Sequence, residues 1–173
     1  MRPTQGAMTL PMMLVTVLAI CSCGQGVASL ETFTYYLHDS FLPPEATVAQ
    51  VASANGAKVT AFDSPLRLGV DKESLLVGSG MGSITALKGI NFITETHDIT
   101  IPELKYQGSI AASGRFSFSS PSWQLAVTGG TGSFSGAYGH FTVSFADPNP
   151  AGYVLKYEAS LTLPSVSACS AET

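Results

Sequence analysis

From Leu30 onward no stretch of the chain sustains a helical period over three turns. Apolar residues alternate with polar ones in short runs that Gly, Pro, Asn and Asp keep interrupting, which is the pattern of half-buried strands joined by tight turns. The domain therefore reads as all-β. The expected strands are Thr32 to His38, Thr47 to Ala52, Lys58 to Phe62, Ser74 to Val77 continuing toward Leu87, Ile90 to Thr94, Ser109 to Phe118, Gln124 to Thr128, Tyr138 to Phe145 and Tyr153 to Leu163. Eight or nine strands on so short a chain favour a closed sheet, because closure removes exposed edges.

The interruptions carry their own information. Gly78-Ser79-Gly80-Met81-Gly82 lies inside a β-rich run, where glycine marks a bulge or a close approach, and it is expected to kink the wall. Gly129-Gly130-Thr131-Gly132 follows a strand but lacks the Lys and the helix start that would hold a phosphate, so it reads as a glycine turn. Asp147-Pro148-Asn149-Pro150 is expected to turn the chain between the last two strands.

Residues 1–28 carry Arg2 as their only charge, followed by an apolar run from Met8 to Ile20. This is the build of a secretory signal peptide, too short for a membrane span of roughly 20 residues. Gly26-Val27-Ala28 suits cleavage after Ala28, leaving 29–173 as one domain; an uncleaved anchor is the alternative. Cys21 and Cys23 would leave with the leader, and Cys169 would remain alone, whereas an earlier cut would let Cys23 pair with it. A secreted location and no membrane contact of the mature form are expected.

Eight Lys and Arg against 12 Asp and Glu offer no basic surface for a phosphate backbone, which excludes nucleic acid as a partner. His38, His97 and His140 are scattered and no Cys or His lies at ligand spacing, so neither a metal nor any other cofactor is expected. Asn55, Asn91 and Asn149 lack the Ser or Thr two residues on that N-glycosylation requires.

Five stretches in register resemble the dirigent family: Thr34-Tyr35-Tyr36-Leu37-His38-Asp39, Phe62-Asp63-Ser64-Pro65-Leu66, Asn91-Phe92, Tyr106-Gln107-Gly108-Ser109-Ile110, and Val127 to Gly132, with Val77-Gly78 through Gly82 in the place of a further family motif. The stretch Leu125 to Gly139 is also similar to the allene oxide cyclases. Both resemblances imply a closed eight-stranded antiparallel β-barrel. The dirigent resemblance implies a protein that oxidises nothing itself. An external oxidase makes phenoxy radicals or quinone methides, and the barrel holds them so that coupling becomes stereoselective, as in lignan and phenylpropanoid chemistry. The implied ligand is a small phenolic or other apolar molecule, and the implied assembly a homodimer or homotrimer. A cyclase of the allene oxide type and a non-catalytic extracellular binding or defence protein stand as alternatives.

Trapping a quinone methide requires a proton for its carbonyl and a proton taken from the attacking hydroxyl, work suited to a sheltered carboxyl group. Asp39 is the first candidate, since partial burial at a barrel mouth would raise its pKa; a turn residue is its other reading. Asp63 and Tyr106 complete the expected catalytic set, Asp63 with a turn-forming alternative and Tyr106 with that of an ordinary strand tyrosine. His38, Tyr36, Phe92, Arg115 and Tyr138 are expected to contact the ligand, with Arg115 alternatively facing solvent. Where the family typically carries arginine, this chain has Ser79, Ser135 and Tyr138.

Overall fold

The computed structural model describes residues 28–149 and 151–164. Residues up to 27, with Cys21 and Cys23, and those from 165 on, with Cys169, lie outside them, and so does nearly all of the expected signal peptide 1–28. Nine strands follow one another: β1 (Ser29–His38), β2 (Val48–Ala54), β3 (Ala57–Arg67), β4 (Leu76–Leu87), β5 (Ile90–Ile101), β6 (Tyr106–Phe116), β7 (Ser122–Gly130), β8 (Tyr138–Asn149) and β9 (Gly152–Leu163). Short 3-10 turns at Pro102–Leu104 and Gly132–Phe134 precede β6 and β8.

The sheet order is β1-β9-β8-β7-β6-β5-β4-β3-β2, and a further β1–β3 pairing closes it into an eight-stranded antiparallel barrel. That closure is short, resting on Tyr36 opposite Arg67 and Leu37 opposite Leu66. Along the other half of β3 the same edge is taken by β2, with Val48 opposite Phe62. The segment between β1 and β2 crosses at this junction, where the Asp63 amide donates to the Thr47 carbonyl. A seam in the wall thus falls where β1 ends.

Period-two alternation decides what faces inward. Phe33, Tyr35 and Leu37 on β1, Phe62 and Leu66 on β3, Ile93, Ile99 and Ile101 on β5, Phe141 and Val143 on β8, and Tyr157, Ala159 and Leu161 on β9 are all buried. Each large apolar side chain among them contributes roughly 1.5–3 kcal/mol by leaving water. Across the middle of the barrel Tyr35 stacks on Tyr157 with centroids 5.5 Å apart and an interplanar angle of 9°. Phe141 meets both rings edge-on. An open greasy hollow running through the barrel is therefore not what the chain builds: an eight-stranded interior is just wide enough for such side chains to fill.

Two departures from the expected elements have clear causes. β5 extends to Ile101 because Glu95 and His97 face inward, and two buried polar residues break the apolar alternation that marks a strand in sequence. Residues Asp147 to Asn149 belong to β8, opposite Val154, Tyr153 and Gly152, and not to a turn, while Pro150 lies outside the described residues. A bulge between Phe145 and Asp147 absorbs the irregularity that made this stretch look like a turn. The glycines of β4 mark a close approach, as expected: a Cβ on Gly78, whose φ is 156°, would sit 1.8 Å from the Asp98 carbonyl oxygen.

Candidate functional site

A cleft of about 200 Å³ lies at the seam, lined by His38, Asp39, Ser40, Arg67 and Lys72 among others. An engineered cavity of roughly 150 Å³ suffices for benzene, so this space fits one aromatic ring with its substituents. His38 closes β1, Arg67 closes β3, and Lys72 comes from the loop between β3 and β4. The cleft is therefore built from segments that strand pairing alone brings together.

Asp39 continues the inward parity of Tyr35 and Leu37 just past the end of β1, and its amide donates to the Tyr153 carbonyl on β9. Its Oδ1 accepts a 2.6 Å hydrogen bond from Ser64 Oγ. The same hydroxyl lies 2.9 Å from Thr47 Oγ1, which in turn accepts from the Ser40 amide. Burial pushes the Asp39 carboxyl up to about 6, with Glu95 adding to the rise and Ser64 and His97 opposing it. At that value both the acid and its conjugate base are populated near neutral pH, the condition a general acid or base needs.

His38 is buried, and its Nε2 lies 3.0 Å from the Gly69 carbonyl oxygen. Burial holds the imidazole below the ordinary histidine range; Arg67 and Lys72 add to that, while the Gly69 carbonyl and Asp71 oppose it. Arg67 Nη1 donates to the Ser74 carbonyl at 2.6 Å and tethers the loop to the β3 end. Lys72 and Glu45 approach at 3.7 Å on the rim, an exposed pair of little energetic weight.

Below the seam lies a fully buried polar cluster. Tyr157 donates to Glu95 Oε2 at 3.0 Å, His97 Nε2 stands 3.5 Å from that oxygen, and Tyr35 Oη and His97 Nδ1 are 2.7 Å apart. Burial, reinforced by Glu95, keeps both tyrosine hydroxyls well above their usual range and so protonated. A Cβ on Gly80 would come within 2.9 Å of His97 Cδ2, so glycine there makes room for the imidazole.

Of the residues expected at the site, the structure brings together only Asp39 and His38. Asp63 is exposed on the outer face of β3 and is a strand residue, not a turn. Tyr36 lies half-buried on the outer face of β1, opposite Lys156. Phe92 and Arg115 are cross-strand partners on the outside of β5 and β6, both exposed, and Tyr138 is exposed at the start of β8. Tyr106 packs between Phe33 and Phe134 and donates to Glu31 Oε2 at 2.7 Å. Glu31 precedes Asp39 by eight residues along β1, roughly 26 Å of extended strand, so Tyr106 belongs to the opposite end of the barrel.

Ser64, Thr47, Arg67 and Lys72 are the residues the sequence reading missed. Arg67 had one available signal: it directly follows Phe62-Asp63-Ser64-Pro65-Leu66 in a chain with only eight Lys and Arg.

The family comparison agrees with this architecture. Residues 30–162 match the family model described as dirigent-like protein, and the chain belongs to the dirigent-like family. Among curated relatives, a protein named pterocarpan synthase 1 from Glycyrrhiza echinata is 27% identical over 158 residues, covering 80% of this chain and 84% of its own. One of the same name from Glycine max is 29% identical over 129 residues, covering 66% and 69%. A solved pterocarpan synthase dirigent protein superposes with a TM-score of 0.73 at 23% identity, over 80% of this chain and 92% of that one. A second gives 0.71 at 22% identity, over 79% and 97%.

Proposed function

We propose that this chain is an exported dirigent protein that seats one ring of a reactive phenolic, a quinone methide above all, in the seam cleft and fixes the face on which the new bond forms. The observation that carries the reading is Asp39: a carboxyl group half-buried at the mouth, held by Ser64, poised at about 6 and bordering a space the size of one ring. Radical coupling needs only orientation, whereas closing a bond onto a quinone methide also needs a proton for its carbonyl oxygen. The carboxylic acid form of Asp39 supplies that proton. The relatives named pterocarpan synthase favour a synthase that makes a phenolic product over a passive binder. Arg67 and Lys72 bring positive charge to the cleft, in a chain where Ser79, Ser135 and Tyr138 stand at the positions usual for family arginines.

The test is a coupling assay with chiral analysis of the products. Coniferyl alcohol with a one-electron oxidant probes radicals, and a preformed quinone methide with a hydroxyl nucleophile probes trapping, each with and without protein. Enantiomeric excess in the second reaction, lost in Asp39→Asn, is the expected result. Racemic product from both substrates in the presence of protein overturns the reading.

A further inference from the structure

The Gly69 carbonyl can only accept, so the 3.0 Å contact with His38 Nε2 requires that nitrogen to carry the proton. In the neutral ring Nδ1 is then a bare lone pair. It is buried and has no partner among the described residues, in a residue only 6% exposed that borders the cleft. An unmatched buried acceptor of this kind carries a desolvation penalty that a ligand donor would remove.

Resting on the reading above, we propose that His38 Nδ1 is the ligand's hydroxyl acceptor and the base of the reaction, so that the neighbouring His38 and Asp39 divide the proton work between them. The step balances without a cofactor. The ligand hydroxyl gives its proton to Nδ1 as its oxygen bonds to the methide carbon, and the methide carbonyl oxygen takes the carboxylic proton of Asp39. The imidazolium and the carboxylate so formed reset by proton exchange through water. Backbone alternation explains how adjacent residues can serve one ligand from different sides: Asp39 follows the inward parity of β1, while His38 lies on the other parity beneath the Gly69 loop, and both line the cleft. The charge state of His38 is set first by its burial, then by the Gly69 carbonyl, Arg67 at the β3 end, and Lys72 and Asp71 in the β3–β4 loop.

The probes are phenol and anisole, which share a ring and differ in the hydroxyl donor. Imidazole nitrogen NMR of the free protein should show His38 protonated at Nε2 and bare at Nδ1. Phenol should shift the Nδ1 resonance saturably and bind three- to tenfold tighter than anisole, the worth of one hydrogen bond. His38→Asn, shown to be folded by its melting curve, should abolish that preference. Equal affinity for the two probes, or an Nδ1 resonance that neither moves, overturns the inference. The assay needs no turnover, so it is separate from the coupling test: selectivity lost in Asp39→Asn but retained in His38→Asn would leave the functional reading standing and remove this one.

Discussion

Ser64 Oγ lies 2.6 Å from Asp39 Oδ1, joining β3 to the end of β1 at the point where the barrel closes. A hydroxyl in that position favours the ionised carboxylate, while burial disfavours it more strongly, and the balance leaves Asp39 at about 6. Ser64→Ala should therefore raise the Asp39 pKa further and cost about 1–2 kcal/mol of stability above pH 6, where the carboxylate loses its donor. Carbon NMR titration of the Asp39 carboxyl reads the first effect, and urea unfolding at pH 5 and pH 8 the second. An unchanged titration midpoint would disprove the role assigned to this hydroxyl.

The same raised pKa makes a prediction about stability and pH. The carboxyl binds its proton more tightly in the folded chain than in the unfolded one, where its value is 3.8. Its stabilising effect is fully present below pH 3.8 and is lost as pH rises through about 6. Asp39→Asn cannot ionise, so it should unfold at a urea concentration close to the wild type at pH 4. At pH 8 it should gain up to about 3 kcal/mol relative to it, an upper figure that follows from the size of the shift. Loss of product selectivity alongside gained stability is the pattern of a group retained for function.

Adjacent glycines in the Gly-Gly-Thr-Gly stretch should behave differently. A Cβ on Gly129 meets nothing within 4 Å, so Gly129→Ala should change stability by no more than about 0.5 kcal/mol. On Gly130 it would lie 2.4 Å from the Phe134 carbonyl oxygen, and Gly130→Ala should cost about 1–3 kcal/mol by forcing the 3-10 turn off β7. Paired thermal melts check the contrast, and equal losses would contradict the packing described.

Tyr106→Phe removes the hydroxyl that donates to Glu31 at the far end of the barrel. The expected cost is about 0.5–1 kcal/mol of stability, with product selectivity unchanged. The coupling assay on this variant tests the placement directly: a fall in enantiomeric excess would return Tyr106 to the site.

How much of the site could be read from the chain follows from the same geometry. The His38-Asp39 pair was legible because a strand that ends in polar residues before Pro43-Pro44 must stop near a mouth. Asp63 and Phe92 lie in stretches that resemble the family's equally well, and Arg115 and Tyr138 lie on expected strands, but neither a motif nor a strand assignment says which parity faces inward. In β5 the pattern misled in the opposite sense, since Glu95 and His97 look like surface residues and are fully enclosed by Tyr35, Tyr157 and Phe141.

Local chemistry alone determined that the chain is all-β, roughly where its strands lie and that they should close, because alternation and turn residues act over a few positions. Only the tertiary structure decided that closure rests on the short contact of Tyr36 and Leu37 with Arg67 and Leu66, that aromatic rings fill the middle, and that Ser64 and Arg67 meet Asp39 and His38 at the seam. Those outcomes depend on register between strands distant in sequence. Register is set by the packing of the whole barrel, since a slip of one residue would turn every side chain of a strand to the other face.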